Sequence, residues 1–164
     1  MPTEISVGEV MLPLARCHEV AAEEGMEKAV ARLHQALADG HHSLLVHDRA
    51  GNHVGLLGVY TVLKLFEPEF IVTETWSMPV FWNEFSAIRA GELTRIQVRE
   101  VMRPLDGVFA KTTDPLTKAV HLMLRHRLDT LPVLAGESLT GVLRVSDVLE
   151  QLGKLVGPDK AAEP

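Results

Sequence analysis

The stretch Val98-Arg99-Glu100-Val101-Met102-Arg103-Pro104-Leu105 decides the fold, because it occurs twice. Its earlier copy is Val7-Gly8-Glu9-Val10-Met11-Leu12-Pro13-Leu14, with six of eight positions identical at an offset of 91. A second match lies further along each copy. Gly55-Leu56-Leu57-Gly58-Val59-Tyr60-Thr61-Val62-Leu63 aligns with Gly141-Val142-Leu143-Arg144-Val145-Ser146-Asp147-Val148-Leu149 at an offset of 86. The first copy is therefore five residues longer inside. Two ordered matches of this length mark duplication of a unit of about 60 residues.

Both copies carry the same local signals. Met26, Ala29, Val30, Leu33 and Leu37 recur at helical spacing, and Gly40 follows as a stop. Leu116, Ala119, Val120, Met123 and Leu124 repeat that stripe, with Asp114 as the expected N-cap and Pro115 in the first turn. Two short apolar runs around a polar turn come next, Leu44–His47 with Val54–Gly58, then Leu131–Leu134 with Leu139–Leu143. That arrangement predicts a hairpin in each copy. A second amphipathic helix closes each unit, over about Val59–Phe66 and Val145–Leu152. The expected order is strand, helix, strand, strand, helix.

These motifs resemble the CBS domain, named for cystathionine β-synthase, and two in tandem resemble a Bateman module. The marks are the Glu-Val-Met-x-Pro opening, the Thr130-Leu131-Pro132-Val133 strand and the closing Gly141-Val142-Leu143-x-x-Ser146-Asp147. The resemblance spans residues 7–66 and 97–152. It implies a mixed α+β or α/β fold, two β-α-β-β-α repeats related by pseudo-two-fold symmetry. The expected division is a first domain over 1–66, an aromatic-rich connecting insertion over 67–96, a second domain over 97–152 and a flexible tail over 153–164. The family also implies a regulatory module that binds adenosine-containing ligands such as AMP, ADP, ATP, NAD or S-adenosylmethionine, and that dimerises.

An adenosyl site without a glycine-rich phosphate loop needs a carboxylate for the ribose diol, an apolar wall for adenine and donors for phosphate. Asp147 matches the family's ribose-binding aspartate; on position alone it would cap the last helix. The adenine wall implied by the resemblance is Val108, Phe109 and the segment Asp129, Thr130, Leu131 and Pro132. Arg144 stands where the family has Ser or Thr. It can bind phosphate through its planar fork, or fill the pocket and pair with Asp147. Lys111 and Arg127 are further phosphate candidates. The first copy has Gly58 and Thr61 at the matching positions, so its weaker site would be lined by His18, Glu19, Ser43 and Thr61. The ligand expected is an adenine nucleotide, with no cofactor required.

Charge supports this division. The chain has 164 residues and a formal charge of −6. Residues 1–66 hold eight acids and five bases, 67–96 five and two, and 97–152 seven of each. The acidic balance argues against nucleic acid, while the neutral second copy can accept one anionic ligand. No apolar run approaches the roughly 18 residues of a membrane helix, and Met1–Glu9 lacks a signal-peptide pattern. A cytoplasmic protein is expected. Cys17 alone forms neither an internal disulfide nor a multi-cysteine zinc site, and reads as a buried or half-buried inert thiol. His18, His34, His41, His42, His47 and His53 read as solvent-facing turn residues, with no metal site. No triad, carboxylate pair or phosphate-loop pattern appears, so no enzyme is expected; His126 is the only local base for a nucleotide-processing alternative.

Six of eight aromatic residues fall between Phe66 and Phe85. Phe81, Trp82, Phe85 and Ile88 share a helical face after Pro79, a surface suited to self-association or to a protein partner. The leading expectation is a homodimeric sensor acting on a separate, unidentified protein. The alternative is a protein-interaction scaffold with vestigial nucleotide sites.

Overall fold

The structure, a computed structural model, describes residues 4–67, 82–105 and 107–157, without the side chains of Glu84 and Phe85. Its elements in chain order are α1 (Val7–Val10), β1 (Leu12–Pro13), β2 (Glu19–Ala21), α2 (Met26–Ala38), β3 (Ser43–His47), β4 (His53–Gly58), α3 (Val59–Leu65), α4 (Trp82–Leu93), α5 (Val98–Val101), β5 (Arg103–Pro104), β6 (Ala110–Lys111), α6 (Leu116–His126), β7 (Thr130–Ala135), β8 (Ser138–Arg144) and α7 (Val145–Val156). They form two compact units, residues 18–104 and residues 1–17 with 105–164. This partition cuts across the contiguous repeats of the sequence.

In the 18–104 unit the sheet order is β2-β3-β4-β5, with β2 parallel to β3 and the other pairs antiparallel. Its buried cluster includes Val20, Met26, Leu33, Leu44, Val46, Leu57 and Val98. In the other unit the order is β1-β8-β7-β6, with β6 parallel to β7. Val7, Ala110, Ala119, Met123, Leu131, Val133 and Leu143 form its core. Each sheet thus takes its outer antiparallel strand from the opening motif of the other repeat: Leu12 pairs with Val142, and Arg103 with Leu56.

The repeated residues serve the exchanged arrangement. Glu9 Oε2 accepts the Ser6 backbone N–H at 2.8 Å, and Glu100 Oε2 accepts that of Gln97 at 2.7 Å, closing the entrance of α1 and α5. Pro13 and Pro104 lie in edge strands, where a missing N–H is tolerated. Gly55 and Gly141 leave room for those strands. A Cβ on Gly55 would lie 2.8 Å from the Arg103 oxygen, and one on Gly141 would overlap the Leu12 oxygen.

Several local expectations change. Asp114 does not cap α6; Pro115 is its N-cap, and Asp114 Oδ2 accepts the Lys111 N–H at 2.9 Å while Oδ1 meets Lys118 Nζ at 3.1 Å. Helix α7 continues through Gly153 to Val156, so only 158–164 of the expected tail lies outside the described residues. The histidines are not all solvent-facing. His41 is 7% exposed, its ring edge-on to His18 with centroids 4.7 Å apart, and His18 Nε2 pairs with Asp39 at 3.0 Å. His53 pairs with Glu19. Among the described residues no His, Cys, Asp and Glu cluster could hold a metal ion. Cys17 is half-buried, with Sγ 3.5 Å from the Pro13 oxygen. Within the insertion, Leu93 of α4 is buried, whereas Trp82 and Ile88 are exposed. Trp82 sits against Phe66 with ring centroids 6.1 Å apart. Phe70, Trp76 and Phe81 lie outside the described residues.

Candidate functional site

The site is assembled at one end of the β1-β8-β7-β6 sheet. Here β7 begins and β8 ends, with Thr130 opposite Arg144. The chain turns from Arg144 directly into α7, and the Val145 N–H donates to the Asp129 carbonyl at 2.9 Å, closing the corner. Parallel pairing of Ala110 with Val133 brings the approach to β6, Val108 and Phe109, to the same end. Val108 packs on the core beside Leu131, whereas Phe109 is partly exposed. Thr130, Leu131 and Pro132 are all buried. The expected wall residues therefore come together.

Asp147 is the third residue of α7 and is 7% exposed. It is not the N-cap itself; that position belongs to Arg144. The Asp147 carboxylate reaches back one turn. Its Oδ2 accepts the Arg144 backbone N–H at 2.9 Å and Nε at 3.0 Å, and its Oδ1 accepts Nη2 at 2.6 Å. The guanidinium thus engages both oxygens as a fork, the strong geometry for an Arg–carboxylate pair. Hydrogen bonding to Asp147 holds the Arg144 pKa above its already high ordinary value.

Two hydroxyls at this corner are unsatisfied. Thr130 is 6% exposed, and among the described residues neither its Oγ1 nor the buried Oγ of Ser146 has a hydrogen-bond partner. A buried donor without a partner costs about 1–3 kcal/mol, so such groups collect where something else binds. Ser146 was not among the residues singled out from sequence. Its signal was there, in the Ser-Asp pair of the closing motif.

Of the two other phosphate candidates, Lys111 lies apart from this corner. Lys111 pairs with Leu134, four strand residues or about 13 Å along β7 from Thr130. Arg127 ends α6 in the left-handed conformation, φ 53°, and lines a groove of about 310 Å³ between α6 and α7 with Leu124, Val145 and Leu149.

The 18–104 unit repeats the layout with different chemistry. Ser43 pairs with Gly58, and Thr61 follows in the first turn of α3. His18 and Glu19 enter β2 at the same sheet end, since Glu19 pairs with Leu45 and Leu45 N–H donates to the His18 carbonyl. Both side chains are engaged, His18 with Asp39 and Glu19 with His53. No carboxylate stands at the Asp147 position.

With this geometry in place, the comparisons fall into line. Residues 98–154 match the CBS domain family model. The fold is that of solved CBS-pair structures. CBSX2 from Arabidopsis thaliana superposes with a TM-score of 0.70 at 19% identity, covering 93% of this chain and 97% of that one. CBSX2 in complex with AMP gives 0.65 at 21%, covering 92% and 97%. A CBS domain-containing protein of unknown function from Bacillus anthracis gives 0.66 at 20%, covering 93% and 95%. No curated protein matches the sequence. Residues 98–154 thus match the CBS domain family, and the chain as a whole has the fold of the solved CBS-pair structures.

Proposed function

We propose that this CBS pair is a regulatory module that binds an adenosine-containing ligand beside Asp147 and acts, as a homodimer, on a separate protein. The observation that carries the reading is a buried carboxylate, Asp147, and the orphaned Thr130 hydroxyl at the same end of an apolar sheet. A ribose diol needs an acceptor of this kind, and adenine needs such a wall. The AMP complex of CBSX2, a protein of the same fold, supports adenosine as the ligand class. Ligand binding would favour one arrangement of the module by its difference in affinity between states.

Exposed apolar helix faces support self-association. Leu124 on α6 and Leu149, Leu152, Leu155 and Val156 on α7 are all exposed. An apolar surface of this extent on a monomer invites a partner. The reading includes no catalysis and a cytoplasmic setting; among the described residues no helix is long and apolar enough to cross a membrane.

Isothermal titration of the purified protein with AMP, ADP, ATP, NAD and S-adenosylmethionine tests the reading. Saturable heat with at least one of them is expected, and silence from all five with folded protein would overturn it. A second reading, an interaction scaffold with vestigial sites, is favoured by one observation: Asp147 already has a full partner in Arg144. On that reading the titrations are silent while a partner protein still binds.

A further inference from the structure

We propose that the Arg144–Asp147 ion pair is exchanged for the ligand on binding, so that the site selects adenosyl ligands carrying an anionic phosphate. This rests on the adenosyl reading above. A carboxylate offers about four acceptor positions, and Arg144 fills three of them through its backbone N–H, Nε and Nη2. A ribose diol donates two hydrogen bonds, so it engages Asp147 only when the guanidinium leaves. The backbone N–H bond persists in either state, because it closes the first turn of α7.

The released guanidinium decides which ligand is accepted. The Arg144 side chain is 15% exposed, so it leaves a mostly buried position and needs a new partner of opposite charge. A phosphate on the same ligand supplies one through the same two-pronged geometry that Asp147 gave up. One fork is then replaced by another, and both charges stay paired. Adenosine takes the carboxylate and returns nothing to Arg144. S-adenosylmethionine brings a positive charge towards it. Thr130, directly opposite Arg144 with an unsatisfied hydroxyl, gives the incoming polar group a further contact. The first repeat has Gly58 and Thr61 at the matching positions and has neither member of the pair.

The test is calorimetric titration of AMP and adenosine into wild-type protein, Arg144→Ser and Arg144→Gln. The glutamine variant preserves side-chain bulk should the serine variant unfold. In wild type, AMP is expected to bind at least about tenfold more tightly than adenosine, the worth of one charge-assisted contact. In the variants the ratio should shrink to about threefold or less, mainly because adenosine binds better once Asp147 is unblocked. Equal affinities in wild type, or a ratio that survives both variants, would overturn the exchange while leaving an adenosyl site standing. No binding of either compound to any of the three proteins would overturn the exchange, and the five-ligand titration above then decides the adenosyl reading separately.

Discussion

Replacing Gly141 by alanine should unseat β1 from the second sheet. The added Cβ would overlap the Leu12 carbonyl oxygen and come within 3.1 Å of its carbon and 3.3 Å of Met11 Sδ. Met11 can turn aside, but the oxygen belongs to backbone. A relaxed C···O contact needs about 3.3 Å, so β1 must retreat by roughly 1 Å. That retreat breaks the short ladder of Leu12 with Val142 and Pro13 with Gly141. Two hydrogen bonds at about 1 kcal/mol each, added to an overpacking cost of about 1–3 kcal/mol, give a loss of about 3–5 kcal/mol. A unit of this size loses about 4–8 °C per kcal/mol, so the thermal midpoint should fall by at least about 10 °C. Circular-dichroism melts read this directly. Gly153→Ala is the matched control. Gly153 lies within α7 with nothing inside 4 Å of its would-be Cβ, so alanine there should stabilise by about 0.5–1 kcal/mol. A Gly141→Ala protein within about 1 kcal/mol of wild type would refute the crossing of β1 over this position.

Asp114 carries a pH signature. Its hydrogen bond from the Lys111 N–H holds its carboxyl below the usual carboxylate range, with Lys118 adding to the effect. A lowered folded pKa means stability that is present above the unfolded value near 4 and is lost as pH falls through the folded one. Asp114→Ala should therefore cost about 1 kcal/mol at pH 7, with the deficit closing in urea titrations at the lowest pH that leaves the protein folded. A deficit independent of pH would contradict the assignment. On the association surface, Leu124→Glu with Leu149→Glu should convert the proposed dimer to a folded monomer by light scattering. An unchanged mass would move the interface off α6 and α7.

The repeat, the hairpins and most helices are legible in the sequence because their signals are local: a stripe of apolar residues, a glycine, a polar turn. The exchange of opening segments is not, because Val7–Leu14 and Val98–Leu105 are nearly the same string and either would fit either hairpin. The strand order of the folded chain shows which opening segment joins which hairpin. The end of α7 misled for a related reason. The composition of residues 153–164 reads as a tail, yet Leu152, Leu155 and Val156 carry the helical stripe past Gly153. His41 reads as a solvent-facing turn residue by position, whereas it is buried with its ring edge-on to His18, brought in from another segment. At the candidate site, Asp147 is read from the closing motif and the wall residues from the family resemblance; the structure brings them to one end of the sheet, and their part in ligand binding belongs to the proposal. Sequence left the role of Arg144 open between phosphate and carboxylate. The fork at 2.6 and 3.0 Å places it on the carboxylate. Thr130 was visible as a strand residue, but its unsatisfied hydroxyl emerges only from the packing around it.

A crystal structure of the protein grown with AMP tests the central claim most directly. The account predicts the ribose hydroxyls on the Asp147 carboxylate, adenine against Val108 and Leu131, and the Arg144 guanidinium turned from Asp147 to the phosphate. AMP lodged at Thr61 instead, or an Arg144–Asp147 fork left intact with no nucleotide beside it at saturating concentration, would contradict it.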